Sequence, residues 1–442
     1  MTDLETILAS SSISAHAIPL PEQWRNFLDD LPRELPRPRD LGSPSAAEIS
    51  AKVRPKALME QDNPAERWVP IPQPVLEWYR RIGRPTPLYR ARLLEKRLGT
   101  GARVYLKRED VLPTGSFKLN TAIAQAYYAA VEGRTTLVSE TGAGQWGMSV
   151  ALAASMFGLD AEIFMVKCSL DQKPYRRHYM ELLGAQVRPS PSDFTAFGRG
   201  VLDRRPDHPG SLGTAISDAI EYTLGKDSAA YISGSGVPHV YLHQTLLGLE
   251  VQAQLEGLYG EAVGEAGRGD HLVACSGGGS NLCGLIGPYL SARAGGADLR
   301  FLAAESTAAP RLTAGRYTYG RADLAGYTPQ VLGYSMGADF VPPPVHTAGL
   351  RNHHSSAVVS LLRNEGVLDA VAIEERKALE AGRLLLQTEG ILVAPESTHA
   401  LAAAIDVVAE ADAQGLEPVV VVLASGSGHL DLQSYSEVLR RP

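Results

Sequence analysis

Nearly all-apolar runs of strand length recur along this chain, and each is followed by a longer amphipathic run of helical length. The clearest is 419–423, where four consecutive valines precede a leucine. A strand is apolar on both faces where helices cover both faces, as in parallel sheets, so the alternation predicts an α/β fold with parallel sheets. The predicted strands are residues 103–107, 136–139, 161–166, 229–233, 271–275, 299–304 and 418–424. The predicted helices are residues 116–130, 148–157, 173–183, 241–255, 281–290, 375–387 and 398–411.

The length of the chain predicts more than one domain, because 442 residues exceed a single small core. Residues 1–68 are rich in proline and charge and form either an arm wrapped over the body or a mobile tail, of which we take the packed arm. Residues 69–236 are predicted to form an N-terminal α/β domain and residues 237–442 a C-terminal α/β domain. Residues 307–354 are weakly periodic, which predicts loops near a site.

Charge and composition argue against several functional classes. The formal net charge is −7 without a dense run of Lys and Arg, so we expect neither a nucleic acid nor a membrane surface as partner. No apolar span has the length of a membrane helix. Cys168, Cys275 and Cys283 lack metal-ligand spacing and predict buried thiols in a reducing compartment, with no metal site. Residues 1–5 lack the features of a secretory signal, so we expect a cytoplasmic protein.

A lysine stands at a predicted strand-to-helix turn within residues 113–120. Lys118 follows Gly115 and Ser116, whose small side chains allow a flat cofactor to lie against the backbone. The Lys118 amine could form a Schiff base with an aldehyde cofactor. A solvated lysine near a helix start is the alternative, although a cation is not favoured there. On this segment alone both interpretations stay open.

A glycine-rich segment follows the predicted strand that ends at Cys275. Backbone N–H groups that turn towards one point, at the start of a predicted helix, can hold a phosphate. The alternative is a tight turn that uses glycine only for backbone freedom. Three successive glycines exceed what a turn requires, so we predict a phosphate site formed by Gly277, Gly278, Gly279, Ser280 and Asn281.

The segment 139–147 has glycines at the spacing of a dinucleotide-binding fingerprint. That fingerprint requires an acidic residue at the end of the following strand, which here ends at Lys167. We therefore interpret the segment as a loop whose N–H groups bind a substrate carboxylate. Its residues are Thr141, Gly142, Ala143, Gly144 and Gln145. Glu140, just before the loop, is a candidate acid/base, and an exposed strand terminus is its alternative.

Ser425 follows the strongest predicted strand, at the end where ligands bind in parallel sheets. Ser427 and His429 together suggest a hydrolase, but the segment lacks the Gly-x-Ser-x-Gly elbow and an acidic partner. The adjacent His353 and His354 have no third ligand nearby, so we interpret them as loop or interface residues.

Taken together, these segments resemble the fold-type II pyridoxal-phosphate enzymes, and specifically the second, divergent class of tryptophan synthase β chains. The resemblance extends from about Trp24 to the C-terminus. The segments that carry it are residues 83–89, 106–110, 118–122, 140–145, 277–281 and 425–426. The features typical of the second class are the proline-rich arm, Trp146 and residues 173–177 and 340–344.

The resemblance implies two three-layer α/β domains, with a mobile substrate-closing subdomain within residues 69–236. It implies pyridoxal 5'-phosphate as cofactor, together with a monovalent cation. Lys118 would form the Schiff base and move the proton at Cα, while Asn120 and Glu305 would also contact the cofactor. Ser425 would contact the pyridine nitrogen, where a neutral hydroxyl favours elimination over transamination. Glu140 would assist the departing β substituent and then activate the nucleophile.

The implied reaction is β-replacement on an L-serine-like amino acid through an aminoacrylate, with indole as nucleophile and L-tryptophan as product. Serine, phosphoserine and threonine are all compatible as donors. The resemblance also implies a homodimer that works without an obligatory α chain.

One residue departs from this pattern. Phe117 stands where the family has histidine, and Gly-Ser-Phe-Lys resembles hydroxyamino acid dehydratases and threonine synthases. A dehydratase or lyase, or β-replacement with another nucleophile, is therefore the alternative, although the Glu140 carboxylate favours replacement. The intact Lys118 and Glu140 argue against a non-catalytic binding protein. The missing acidic residue argues against a dinucleotide-binding oxidoreductase.

Overall fold

The computed structural model describes residues 18–40, 42, 44–337, 340, 342–343 and 345–440. Residues 1–17 of the predicted arm, which include the start that was examined for a secretory signal, lie outside the described residues. Val341 and Pro344 of the segment 340–344 lie outside them as well. Within the described ranges, no helix is both long enough and apolar enough to cross a membrane.

The strands in chain order are β1 (Gln23–Arg25), β2 (Trp68–Pro70), β3 (Leu88–Arg90), β4 (Arg103–Arg108), β5 (Thr136–Thr141), β6 (Asp160–Val166), β7 (Gln186–Ser190), β8 (Ala229–Tyr231), β9 (Asp270–Cys275), β10 (Leu299–Ser306), β11 (Arg316–Gly320), β12 (Val331–Ser335), β13 (Leu368–Ile373) and β14 (Val419–Ala424).

The helices in chain order are α1 (Ala46–Val53), α2 (Lys56–Glu60), α3 (Gln73–Arg81), α4 (Arg92–Leu98), α5 (Lys118–Val131), α6 (Gln145–Met156), α7 (Lys167–Gln172), α8 (Pro174–Leu182), α9 (Ala196–Arg204), α10 (Leu212–Leu224), α11 (Pro238–Gln244), α12 (Leu246–Gln254), α13 (Ser280–Ile286), α14 (Leu290–Ala294), α15 (Arg311–Ala314), α16 (Ala357–Asn364), α17 (Glu375–Glu389), α18 (Pro395–Ala413) and α19 (Leu432–Arg440).

Most strands belong to two sheets that are almost wholly parallel. The larger sheet has the order β13-β10-β9-β14-β4-β3, in which only the edge strand β3 runs antiparallel to its neighbour. The smaller sheet has the order β7-β6-β5-β8 and is parallel throughout. The predicted α/β class with parallel sheets is therefore confirmed.

Both faces of the larger sheet are covered by helices, as the apolar runs predict. Successive side chains of a strand point to opposite faces. On β14, Val421 packs in one apolar cluster with Leu282 of α13, while Val420 packs in a separate cluster with Leu401 of α18. The result is the expected three-layer arrangement, in which the strand must be apolar along its whole length.

The described part of the arm lies against the body. β1 pairs with β2. Trp24 of β1 and Phe27, which follows β1, are almost completely buried. The Trp24 ring lies 4.5 Å from the His243 ring of α11, measured between centroids.

Two features differ from the sequence predictions. β3 and β4 lie within residues 69–236 but belong to the larger sheet, so a division at residue 236 does not coincide with the division into sheets. The physical reason is that β4 pairs with β14 along its whole length. Residues 307–354, predicted as loops, contain the antiparallel hairpin of β11 and β12. The mobility of a closing subdomain stays a prediction.

The parallel direction of β4, β9 and β14 brings their carboxyl ends to one edge of the larger sheet. The segments that follow these strands carry Lys118, the glycine-rich loop and Ser425 respectively. The fold thus gathers three motifs that are far apart in sequence.

Candidate active site

One cavity lies at this edge of the larger sheet. Its walls combine the turn before α5, the glycine-rich loop, the start of α18 and the residues after β14. The lining residues are Ser116, Phe117, Lys118, Gln145, Cys275, Gly277, Gly278, Ser280, Asn281, Gly349, Leu350, Ala394, Glu396, Ser425 and Gly426.

Lys118 is fixed at this cavity by contacts between its turn and the end of β14. The Phe117 N–H donates to the carbonyl of Ser425 over 3.1 Å, and Ser116 forms an isolated bridge with Gly426. The Lys118 Nζ lies 4.9 Å from the centroid of the Phe117 ring. Burial lowers the pKa of Lys118 to about 8, while the neighbouring Cys275, Glu140 and Glu396 act in the opposite direction. The amine is therefore much easier to deprotonate than a solvated lysine.

The glycine-rich loop is shaped by close approaches that exclude side chains. A Cβ atom at Gly277 would collide with the carbonyl oxygen of Gly349, and one at Gly278 would collide with the Ser235 side chain. Gly279 has a φ of +85°, in the left-handed region that favours glycine. The Asn281 Nδ2 donates to the carbonyl of Cys275 over 2.8 Å and closes the turn. Four residues of this segment line the cavity, namely Gly277, Gly278, Ser280 and Asn281.

Glu140 is the last residue but one of β5 and is 8% exposed, so it is not an exposed strand terminus. The Tyr231 hydroxyl donates to its Oε2 over 2.7 Å. Burial raises the pKa of Glu140 to about 7, although the hydrogen bond from Tyr231 and the charge of Lys118 oppose the rise. The carboxyl can therefore gain or lose a proton near neutral pH.

The loop after β5 is organised by the hydroxyl of Thr141. This oxygen accepts hydrogen bonds from the N–H groups of Gly144 and Gly147, at 3.1 and 3.2 Å. The Arg176 Nη1 donates to the Ala143 carbonyl over 2.6 Å. Of the five residues predicted to bind the substrate carboxylate, Gln145 lines the cavity.

Ser425 also lines the cavity. Its Oγ is 2.8 Å from the Ser397 Oγ and 3.5 Å from the Cys275 Sγ. The Ser397 Oγ also accepts from the Gly426 N–H over 3.1 Å. A neutral, hydrogen-bonded hydroxyl is thus fixed beside the cavity.

Two residues that were predicted to contact a cofactor lie elsewhere. The Asn120 side chain belongs to a buried polar cluster, where it accepts from Arg84 over 2.7 Å and donates to Glu109 and Gln244 over 3.0 Å each. The Glu305 carboxylate accepts from the Leu312 N–H at the start of α15 over 2.9 Å. Neither residue lines the cavity, because its polar atoms are directed into other contacts.

The sequence did not indicate Glu396, which the structure places in the first turn of α18 beside Lys118. Its Oε1 accepts from the Gly349 N–H over 2.9 Å. Its Oε2 is buried without a hydrogen-bond partner among the described residues. A lone glutamate after a proline gives no sequence pattern that marks a site. Tyr231, the hydrogen-bond partner of Glu140, was also missed, because a single tyrosine in a strand gives no sequence pattern that marks a site.

Comparisons with known proteins agree with this geometry. Residues 79–426 match the family described as "Pyridoxal-phosphate dependent enzyme". The chain is 46% identical over 421 residues to the "Tryptophan synthase beta chain 2" of Methanothermobacter thermautotrophicus, covering 95% of this chain and 96% of that protein. It is 47% identical over 418 residues to the protein of the same description from Thermotoga maritima, covering 94% and 97%.

A solved structure shares the fold at lower identity. The L-serine ammonia-lyase from Rhizomucor miehei superposes with a TM-score of 0.58 at 20% sequence identity, covering 80% of this chain and 98% of that chain.

Proposed function

The chain belongs to the pyridoxal-phosphate dependent enzymes and, within them, to the tryptophan synthase β chains, and from this premise we propose what its individual residues do. It is a pyridoxal-phosphate-dependent lyase of the tryptophan synthase β type. In the proposed reaction an L-serine-like donor loses its β-hydroxyl and indole adds at Cβ, which gives L-tryptophan. The observation that supports it most is the position of Lys118, whose pKa is lowered by burial to about 8, at the cavity that the glycine-rich loop and Ser425 also line.

The residues at this cavity fit pyridoxal 5'-phosphate. Lys118 offers an amine of lowered pKa to the aldehyde, and the glycine-rich loop, which lines the same cavity, offers backbone N–H groups to the phosphate. The N–H groups of Gly277 and Gly278 have no acceptor among the described residues, and both residues line the cavity, so these groups are free to bond to the phosphate. We therefore propose that the cofactor is held by Lys118, Gly277, Gly278, Gly279, Ser280, Asn281 and Ser425.

When bound, the cofactor supplies an electron sink for the charge that develops at the substrate Cα. Lys118 moves the proton at that Cα atom. Its pKa of about 8 allows the Nζ to act as proton acceptor and as proton donor near neutral pH.

Glu140 acts at the substrate Cβ. In its protonated form it gives a proton to the departing hydroxyl, and in its ionised form it accepts the proton that indole loses. A pKa of about 7 makes both forms accessible. The hydrogen bond from Tyr231 fixes the orientation of the carboxyl throughout.

The loop of Thr141, Gly142, Ala143, Gly144 and Gln145 is proposed to bind the substrate carboxylate. The Gly144 N–H already serves the Thr141 hydroxyl, so the other N–H groups of the loop would make this contact. Ser425 is proposed to contact the pyridine nitrogen as a neutral hydroxyl, which limits charge stabilisation on the ring and favours β-elimination over transamination.

Phe117 supports a second candidate, a hydroxyamino acid dehydratase, because its ring occupies the cavity wall beside Lys118. In that reaction no nucleophile adds, and the product is an oxo acid with ammonia. The buried carboxyl of Glu140 favours β-replacement, since a nucleophile such as indole must lose a proton.

We further propose that the protein is a homodimer that works without an obligatory α chain, binds a monovalent cation and is cytoplasmic. They rest on the resemblance to the second class of tryptophan synthase β chains.

Product analysis tests the proposal. The protein is loaded with pyridoxal 5'-phosphate and supplied with L-serine and indole, and L-tryptophan and oxo acid are both measured over time. We expect tryptophan to form faster than oxo acid. Lys118→Ala should abolish both products, whereas Lys56→Ala, which changes an exposed lysine of α2, should change neither. Oxo acid in excess of tryptophan would favour the dehydratase.

A further inference from the structure

Arg311, the first residue of α15, is a buried cation directly behind the glycine-rich loop. It is fully buried, and its guanidinium donates to the carbonyls of Ser276 and Gly277, the latter over 2.5 Å. Longer contacts of 3.4 Å reach the carbonyls of Ala309, Leu350 and Asn352. Among the described residues, every hydrogen-bond acceptor of this guanidinium is a backbone carbonyl.

A buried charge is costly unless an opposite charge or several dipoles compensate it. The carbonyl dipoles around Arg311 provide part of this compensation. Glu305, the carboxylate whose charge acts on Arg311, directs its own oxygens to the N–H groups of Leu312 and Thr313 instead. The position of Arg311 is therefore best explained if a further anion binds on the other side of the loop.

The geometry of the peptide bond links Arg311 to the cavity. In a planar trans peptide, the C=O and N–H groups point in opposite directions. The Ser276 carbonyl shares its peptide with the Gly277 N–H, and the Gly277 carbonyl shares its peptide with the Gly278 N–H. Because Arg311 binds both carbonyls, both N–H groups point away from it. Neither N–H has an acceptor among the described residues, and Gly277 and Gly278 both line the cavity.

Glu305 holds Arg311 in this position. Its two carboxylate oxygens accept from the N–H groups of Leu312 and Thr313 at 2.9 Å each, which fixes the short helix on which Arg311 stands. Glu305 thus affects the cavity indirectly: it fixes α15, and Arg311 of α15 in turn fixes the glycine-rich loop.

We propose that Arg311 is a positioning residue for the phosphate group of the cofactor. It turns the N–H groups of Gly277 and Gly278 into the cavity and places a positive charge behind them. The inference rests on the proposed function, because it takes the phosphate of pyridoxal 5'-phosphate as the anion.

The test compares two ligands that differ only in the phosphate. Cofactor-free protein is titrated with pyridoxal 5'-phosphate and, separately, with pyridoxal, and binding is followed by visible absorption. In Arg311→Met the affinity for pyridoxal 5'-phosphate should fall roughly 10- to 100-fold, as expected for the loss of hydrogen bonds to a charged group. The affinity for pyridoxal, which lacks the phosphate but keeps the proposed contacts with Lys118 and Ser425, should stay within about twofold of wild type.

Arg293→Met is the matched control. Arg293 is partly buried and, like Arg311, donates to a backbone carbonyl, that of Leu299, but at the opposite end of β10. Its loss should leave both affinities unchanged. Arg311→Lys keeps the charge but has one donor nitrogen where Arg311 uses two, Nη2 for the carbonyls of the loop and Nη1 for the longer contacts, so it should lose part of the preference for the phosphorylated ligand. This second variant serves as the test if Arg311→Met does not fold.

An equal loss of affinity for both ligands in the Arg311 variants would mean that Arg311 only stabilises the fold, and it would overturn the inference. An unchanged preference for the phosphorylated ligand would overturn it as well. If wild-type protein makes tryptophan and prefers the phosphorylated ligand, such results refute only the role of Arg311. If wild-type protein shows no preference and makes no tryptophan, the proposed function itself fails.

Discussion

The hydrogen bond between Tyr231 and Glu140 can be removed by deleting one oxygen, in the variant Tyr231→Phe. In wild type the hydroxyl donates to the Glu140 Oε2 over 2.7 Å, and both side chains are buried. This bond stabilises the ionised carboxylate and therefore opposes the effect of burial on the pKa of Glu140. Without it, the carboxyl should hold its proton to higher pH.

The size of the shift follows from the energy of the bond. A hydrogen bond to a charged group contributes about 1.5–3 kcal/mol, and one pKa unit corresponds to about 1.4 kcal/mol. The pKa of Glu140 should therefore rise by about 1 to 2 units from its value of about 7. If the ionised form accepts the indole proton, the ionised fraction at pH 7 and with it kcat/KM for indole should fall about 5- to 50-fold.

The assay is the pH profile of kcat/KM for indole at saturating L-serine. In Tyr231→Phe the acid limb should move up by about 1 to 2 pH units, and the rate should approach that of wild type at high pH. Tyr222→Phe is the control, because the Tyr222 hydroxyl donates over 3.2 Å to Glu162 in the same sheet, away from the cavity. An acid limb that stays in place in Tyr231→Phe would refute the assignment of Glu140 as the group that titrates.

Three further changes test the account at other points. Glu140→Gln should stabilise the cofactor-free protein by about 2–3 kcal/mol more at pH 8 than at pH 5. The reason is that the carboxyl ionises near pH 4.5 in the unfolded chain and near pH 7 in the folded one, so the cost of burying it grows as the pH rises between these values. Denaturant unfolding measures the free energy of unfolding at both pH values, and an equal gain at both would contradict the prediction. Phe117→His should be tolerated and should bind pyridoxal 5'-phosphate more tightly in the titration, whereas loss of the cofactor would mean that the pocket is built differently. Ser425→Asp should shift the products towards transamination, and an unchanged product ratio would count against the role given to its neutral hydroxyl.

The strands buried on both faces were predictable from the sequence. In β14 every residue is buried and every residue is apolar, as a strand covered on both faces requires. The edge strand β7 was missed because it contains Arg188 and Pro189, which an edge position tolerates. The hairpin of β11 and β12 was missed because its residues are mostly half-exposed, so they do not form the continuous apolar run by which the buried strands were predicted.

The candidate site was predictable where a motif is continuous in sequence. Lys118, the glycines from Gly277 and Ser425 each follow a strand of the larger sheet, and parallel strands bring their ends together. Asn120 and Glu305 do not line the cavity, and a position at the end of an element does not tell which way a side chain points, so their contact with the cofactor stays a prediction. Glu396, Tyr231 and Arg311 enter from distant segments, and only the folded chain brings them to the cavity or its support.

The visible spectrum of the purified, cofactor-loaded protein during addition of L-serine and then indole tests the central claim most directly. The account predicts that L-serine shifts the cofactor absorption to a new band, and that indole removes this band as L-tryptophan appears. A band that forms with L-serine but does not respond to indole, while oxo acid accumulates, would contradict β-replacement with indole.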